Sequence, residues 1–293
     1  MKDRSISLSD GRQLGFIDYG DPDGLPIFLL HGTPGSRVFG LENEPLIGEE
    51  NLRIVTPERP GYGLSSPLEK RSISAYSSDI EELADFLHIK KFHVGGVSGG
   101  GPYVLACASN LPNRVLSATL IASASPMETE GFFRGMSIGN KCAFLLSKYV
   151  PWLLKPIYQY AANYYGKNPD KMIKGLTPQL CEWDKRVIEE MADKGQIDGF
   201  TEHIREAYKQ GYKAAYTDIY LVSRSWGIDY SKILCPVFMW HGESDTLVPI
   251  SPAKAFAKSL PNCQSSFIEG AGHLLLESDE VGRRIIQAIK QVG

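Results

Sequence analysis

The sequence predicts an α/β fold, a mainly parallel sheet with helices on both faces and an all-helical insertion ahead of the last two strands. A continuous apolar run at residues 26–30 and short, largely apolar runs at 92–97, 115–122 and 236–240 read as buried strands. Helical patterns alternate with them, which implies right-handed crossovers between parallel neighbours. From about Ser125 to Tyr230 strand character disappears and helical spacing takes over, dense in aromatics.

The chain opens with two alternating segments, residues 6–9 and 14–19, around Asp10-Gly11, which reads as a β-hairpin. The strand at 26–30 runs into His31-Gly32-Thr33-Pro34-Gly35-Ser36. A glycine-rich loop at the carboxyl end of a central strand lies where such a sheet places its ligand crevice, and its N–H groups can face an anion. The Thr33 N–H is assigned there as one oxyanion donor. The strand at 52–57 precedes Glu58-Arg59-Pro60-Gly61-Tyr62-Gly63-Leu64-Ser65, in which Glu58 and Arg59 read as an ion pair that shapes the loop. Tyr76, Ile80, Leu83, Ala84 and Leu87 then recur at helical spacing, a helix that covers one face of the sheet.

Between the strand at 92–97 and a helix at 102–110 stands Gly96-Val97-Ser98-Gly99-Gly100. A sharp strand-to-helix turn projects a serine hydroxyl for attack, and Gly96 and Gly100 flank it where a side chain would crowd the turn. The Gly99 N–H, at the positive end of the following helix, is the second oxyanion donor. Neither a Gly-Lys-Ser/Thr phosphate loop nor a G-x-G-x-x-G dinucleotide fingerprint fits this stretch.

Within the insertion, Thr177-Pro178 reads as a helix start, with Gly211 and Gly227 as interruptions. Tyr208, Tyr212, Tyr216 and Tyr220, four apart, read as one helical stripe. The insertion is expected to cap the Ser98 crevice, most of its aromatics packing between helices and some lining a pocket. The domain division is therefore 1–124 with 231–293 as the core and 125–230 as the cap. Two last loops carry His241-Gly242-Glu243-Ser244-Asp245 and Gly270-Ala271-Gly272-His273, the second ahead of a terminal helix.

A serine, a carboxylate and a histidine thus follow one another at three strand ends, which converge on one rim of a parallel sheet. Ser98 is the expected nucleophile, His273 the base that takes its proton, and Asp245 the acid that orients the imidazole, preferred over Glu243 for its reach. His31 and His241 belong to no metal-ligand spacing, and His88, His93 and His203 read as peripheral.

These five motifs together resemble the α/β-hydrolase superfamily over nearly the whole chain outside the cap, in its serine-nucleophile branch similar to esterases and prolyl aminopeptidase-like hydrolases. The resemblance implies a mostly parallel eight-stranded sheet with a helical lid after the sixth strand. It also implies Ser98, Asp245 and His273 as triad, the N–H groups of Thr33 and Gly99 as oxyanion hole, and no cofactor or metal. The chain departs at Glu58, where many relatives carry Asp, and at His31-Gly32-Thr33-Pro34-Gly35, where the prolyl aminopeptidase branch commonly has a second glycine.

A formal net charge of −3 and the lack of a polybasic block exclude a nucleic-acid function and give no sign of an anionic membrane partner. No apolar run reaches about eighteen residues, and the first residues lack the apolar core of a signal peptide, so membrane insertion is not expected and the cytoplasm is the expected location. The five cysteines are scattered, as free thiols would be. The reading is a serine hydrolase, monomeric or homodimeric, acting on a small, partly apolar ester through an acyl-enzyme. An amidase or prolyl aminopeptidase-like peptidase stands second, for which Glu182, Asp184, Glu189 and Glu190 are candidates to hold a substrate ammonium. A small-molecule receptor on the same fold is the alternative from another class.

Overall fold

The computed structural model describes residues 3–40 and 44–292. Its strands are β1 Arg4–Ser7, β2 Gln13–Gly20, β3 Leu25–Leu30, β4 Leu52–Pro57, β5 Phe92–Val97, β6 Val115–Ile121, β7 Val237–Gly242 and β8 Cys263–Ile268. They form one sheet in the order β1-β2-β4-β3-β5-β6-β7-β8, antiparallel at β1–β2 and β2–β4 and parallel elsewhere. The expected opening hairpin is the β1–β2 pair.

The helices are α1 Glu44–Glu49, α2 Tyr76–Phe86, α3 Gly101–Asn110, α4 Ile138–Tyr149, α5 Lys155–Tyr165, α6 Pro169–Leu176, α7 Glu182–Asp193, α8 Ile197–Ala207, α9 Lys213–Val222, α10 Ile250–Ala257 and α11 Asp279–Lys290. Strand alternation feeds two cores. In β3, Phe28 and Leu30 join the cluster under α2, α3 and α10, while Ile27 and Leu29 join the cluster on the opposite face under α11. In β7, Val237 and Met239 divide from Phe238 and Trp240 in the same way. The period of α11 suits it to this cover, since Val281, Ile285 and Ile289 recur four apart on its buried side.

Six helices, α4 to α9, stand between β6 and β7. They are tied to loops at the carboxyl ends of the strands. Tyr62, after β4, packs with Ala162, Ile204, Ala207 and Ala214, and Leu274, after β8, packs with Val187 and Met191.

Three local expectations are corrected. Thr177 does not cap a helix start: it closes α6, its hydroxyl donating to the Ile173 carbonyl at 2.8 Å, and α7 begins only at Glu182. The four tyrosines do not share one stripe, because α8 ends before Tyr208 and the chain turns through Gly211 before α9. His93 and His203 are not peripheral but buried, each bonded to a serine hydroxyl, Ser117 and Ser36 respectively.

Candidate active site

Strand β5 ends at Val97, and Ser98 then adopts a left-handed conformation, φ +54°. A short 3₁₀ turn, Ser98–Gly100, leads into α3, whose Pro102 in the first turn needs no N–H partner. The turn is tight. A Cβ at Gly96 would lie 2.7 Å from Val104 Cγ2, and one at Gly100 would lie 2.6 Å from the Leu30 carbonyl oxygen. Ser98 itself is half-buried, held in a backbone region that costs a non-glycine residue on the order of 1 kcal/mol.

The loop after β3 lies against this turn. A Cβ on Gly32 would sit 3.6 Å from Ser98 Cβ, and one on Gly99 would sit 3.4 Å from the Thr33 nitrogen. That loop is fixed from outside by Arg59, whose guanidinium donates to the His31 carbonyl at 2.6 Å and the Gly32 carbonyl at 2.7 Å. The expected Glu58–Arg59 pair does not form. Glu58 instead pairs with Arg37 at 2.8 Å, and Arg59 with Asp218 of α9 at 2.7 Å.

Asp218 was not singled out from the sequence. One of its oxygens accepts from Thr33 Oγ1 at 2.9 Å, from Tyr62 Oη at 2.7 Å and from Arg59. The other accepts from Arg71 at 2.5 Å and from Tyr103 Oη at 2.9 Å. Burial favours the neutral acid, but Arg59 and Arg71 outweigh it and hold the Asp218 pKa well below the ordinary carboxylate value. An aspartate inside the apolar run of α9 was the available signal, because a buried charge needs partners.

On the other side of the rim, His273 Nδ1 donates to Asp245 Oδ2 at 2.7 Å. The remaining Asp245 oxygen accepts the backbone N–H groups of Leu247 and Val248, both at 2.8 Å. Glu243, the other carboxylate of the loop, points to the surface and pairs with Lys254. Burial opposes a charged His273, but the Asp245 carboxylate, aided by Asp184 and Glu277, prevails and raises its pKa above the ordinary value. The same pairing, against burial, lowers that of Asp245. His31 and His241 are both kept neutral by burial, and each spends one ring nitrogen on a backbone carbonyl, of Gly32 and Val248.

Asp184 is no part of an exposed acidic cluster. It is buried on α7 and accepts the backbone N–H groups of His273 and Leu274, whereas Glu182, Glu189 and Glu190 are exposed and Glu182 pairs with Lys185. Cys107 is buried in α3, which pushes its thiol up to about 12 and leaves it a core residue. A cleft of about 660 Å³ opens beside the Asp245 loop, bounded on its other side by Ser137, Asn140, Leu176 and Gln179.

A mostly parallel eight-stranded sheet with loops of this chemistry on its carboxyl rim defines the class. Residues 27–283 match the model of the Alpha/beta hydrolase family, and the chain belongs to that family. It is 26% identical to the uncharacterized hydrolase YcgS of Bacillus subtilis, with 86% of each chain covered. It is 24% identical to the proline iminopeptidase of Neisseria meningitidis, covering 98% of this chain and 94% of the relative. A thermophilic esterase from Thermogutta terrifontis shares the fold with a TM-score of 0.64 at 23% identity, over 99% of this chain and 97% of that one.

Proposed function

We propose that the protein is a serine hydrolase that cleaves a small, partly apolar carboxylic ester. Ser98 attacks the carbonyl carbon while His273 Nε2 takes the hydroxyl proton, and the N–H groups of Thr33 and Gly99 receive the oxyanion. The intermediate collapses as His273 protonates the leaving alcohol, leaving an acyl-Ser98. Water, deprotonated by the same imidazole, attacks the acyl carbon and releases the acid and the free serine. Asp245 holds Nδ1 protonated and stabilises the imidazolium at each transfer. Residues 125–230 serve as a cap over the core formed by 1–124 and 231–293.

The observation that carries this reading is the strained Ser98 turn, with φ +54°, beside the Gly32-Thr33 loop. The oriented His273–Asp245 pair at the carboxyl ends of the adjacent parallel strands β7 and β8 supports it. An ester is preferred to an aminoacyl amide because Asp184, the buried member of the acidic set, is engaged by backbone N–H groups.

The test is intact-mass spectrometry after exposure to a fluorophosphonate, run on wild type and Ser98→Ala, with p-nitrophenyl ester hydrolysis in parallel. One adduct and hydrolysis on wild type, both absent from the variant, are expected. Folded wild type that takes no adduct and cleaves no ester overturns the reading in favour of a binding protein.

A further inference from the structure

The outer face of the cap carries a chemistry that the catalytic reading does not use. In α4, Ile138, Leu145 and Tyr149 recur at helical spacing and all stand exposed. The following turn exposes Trp152 and Leu153, and α5 exposes Ile157, Tyr160 and Tyr164 at i, i+3 and i+7. The exposure is large: 69% for Tyr149, 63% for Trp152 and 67% for Tyr160. These side chains point away from the rest of the protein. The opposite sides of the two helices meet α9, through Ser147 bonded to the Ile219 carbonyl and to Ser223, and through Tyr158 packed on Tyr216.

The charge on the same segment has one sign. Residues 131–169 contain Arg134, Lys141, Lys148, Lys155 and Lys167 and no Asp or Glu, in a chain whose net charge is −3. Lys141 and Lys148, seven apart in α4, lie on nearly the same helical face, while Arg134 precedes that helix and Lys155 opens α5, a spacing that leaves no polybasic block in the sequence. The Lys148 ammonium lies 5.7 Å from the Tyr149 ring, so cation and aromatic are interleaved.

We propose that the outer face of α4, the turn at 151–154 and α5 is a peripheral docking surface for an anionic lipid bilayer. Exposed Trp and Tyr with intervening lysines suit the boundary between headgroups and acyl chains, where ring bodies are buried and ammonium groups meet phosphate. The protein lies on the surface, since no helix among the described residues is long and apolar enough to cross a membrane. A second copy is the poorer occupant. A two-fold interface would set the same lysines against one another with no carboxylate from the segment between them.

Flotation with vesicles tests this without reference to the hydrolase activity. Wild type should bind vesicles of phosphatidylcholine mixed with phosphatidylglycerol, bind those of phosphatidylcholine alone far more weakly, and be released by salt. Tyr149→Ser/Trp152→Ser/Tyr160→Ser and Lys148→Glu/Lys155→Glu should each weaken partitioning about tenfold or more, equivalent to about 1.4 kcal/mol. Because these positions are exposed, an unchanged melting temperature shows that folding is intact. Equal binding by the variants, no binding of wild type to either vesicle, or a dimer in light scattering that the aromatic variant dissociates would each overturn the proposal.

Discussion

The Asp184 carboxylate on α7 accepts the backbone N–H of His273 at 3.0 Å, and its second oxygen accepts that of Leu274 at 2.9 Å. A helix of the insertion thereby grips the loop that presents the imidazole, and the position of α7 and the orientation of His273 are mechanically joined. Asp184→Ala leaves two N–H groups without acceptors, a cost of about 1–3 kcal/mol each where they stay dry. A lower melting temperature and at least tenfold slower hydrolysis of p-nitrophenyl esters are expected, about 1.4 kcal/mol in the barrier. Asp184→Asn keeps one acceptor but removes a charge that helps to raise the His273 pKa. In that variant the acid limb of the kcat/KM profile should move to lower pH. A purely structural role for Asp184 would lower stability and leave the limb in place.

Asp218 performs the matching task on the other loop. It binds Thr33 Oγ1 directly and reaches the His31 and Gly32 carbonyls through Arg59. Asp218→Ala strands two buried guanidinium groups, Arg59 and Arg71, and should cost about 3–5 kcal/mol. Asp170→Ala, which removes an exposed pair with Lys174, should cost about 0.5 kcal/mol or less. Chemical denaturation of the two variants checks the contrast, and comparable losses would show that the Asp218 cluster does not tie the insertion to the core.

Most of the sheet was legible because its central strands are buried on both faces, so that 236–240 is wholly apolar and 92–97 carries one polar residue, His93. Ser98, Asp245 and His273 stand out in the sequence because polar residues of reactive type follow those runs at strand ends, and the structure brings the last two into contact. The carboxylates of the insertion were not. On a helix whose neighbours are Lys185 and Arg186, Asp184 has the spacing of a solvated face, and only the fold brings the loop after β8 onto it. The tyrosine stripe failed for a local reason: side-chain period continues through Lys209-Gln210-Gly211, but the backbone does not. His93 and His203 were misplaced because residue type alone does not reveal the serine hydroxyl that makes a buried imidazole tolerable.

In the proposed mechanism the pH dependence of catalysis follows from His273. As a base it must be neutral, and its pKa is raised above 6.5 by Asp245 against the opposing effect of burial. The acid limb of kcat/KM for ester hydrolysis should therefore have its inflection above pH 6.5, with activity lost as pH falls through it. Asp245→Asn should shift that inflection to lower pH and reduce kcat by about three to four orders of magnitude, since the imidazole loses both its orienting acceptor and its counter-charge. An acid limb that stays fixed in Asp245→Asn would assign the titration to another group.

Stability should respond to acid in the opposite range. Burial lowers the pKa of His93 and of His203 to about 4 in the folded chain, and depresses those of His31 and His241 as well. The unfolded chain, with histidines near 6.5, then binds more protons than the folded one between about pH 6.5 and pH 4. Stability is fully present above pH 6.5 and falls as pH drops through that window, by on the order of 3 kcal/mol for each of His93 and His203 by pH 4. His273 works the other way: its raised pKa adds stability below pH 6.5 and offsets part of the loss. The carboxylates of Asp218 and Asp245, whose pKa values are lowered, add their own loss only below the ordinary carboxylate range. Calorimetric melting temperatures should decline steeply between pH 6.5 and pH 4, and His93→Asn, which removes one depressed imidazole beside Ser117, should make that decline shallower whatever it does to stability at pH 8. A flat profile down to pH 4 would mean that these imidazoles are hydrated in the native state.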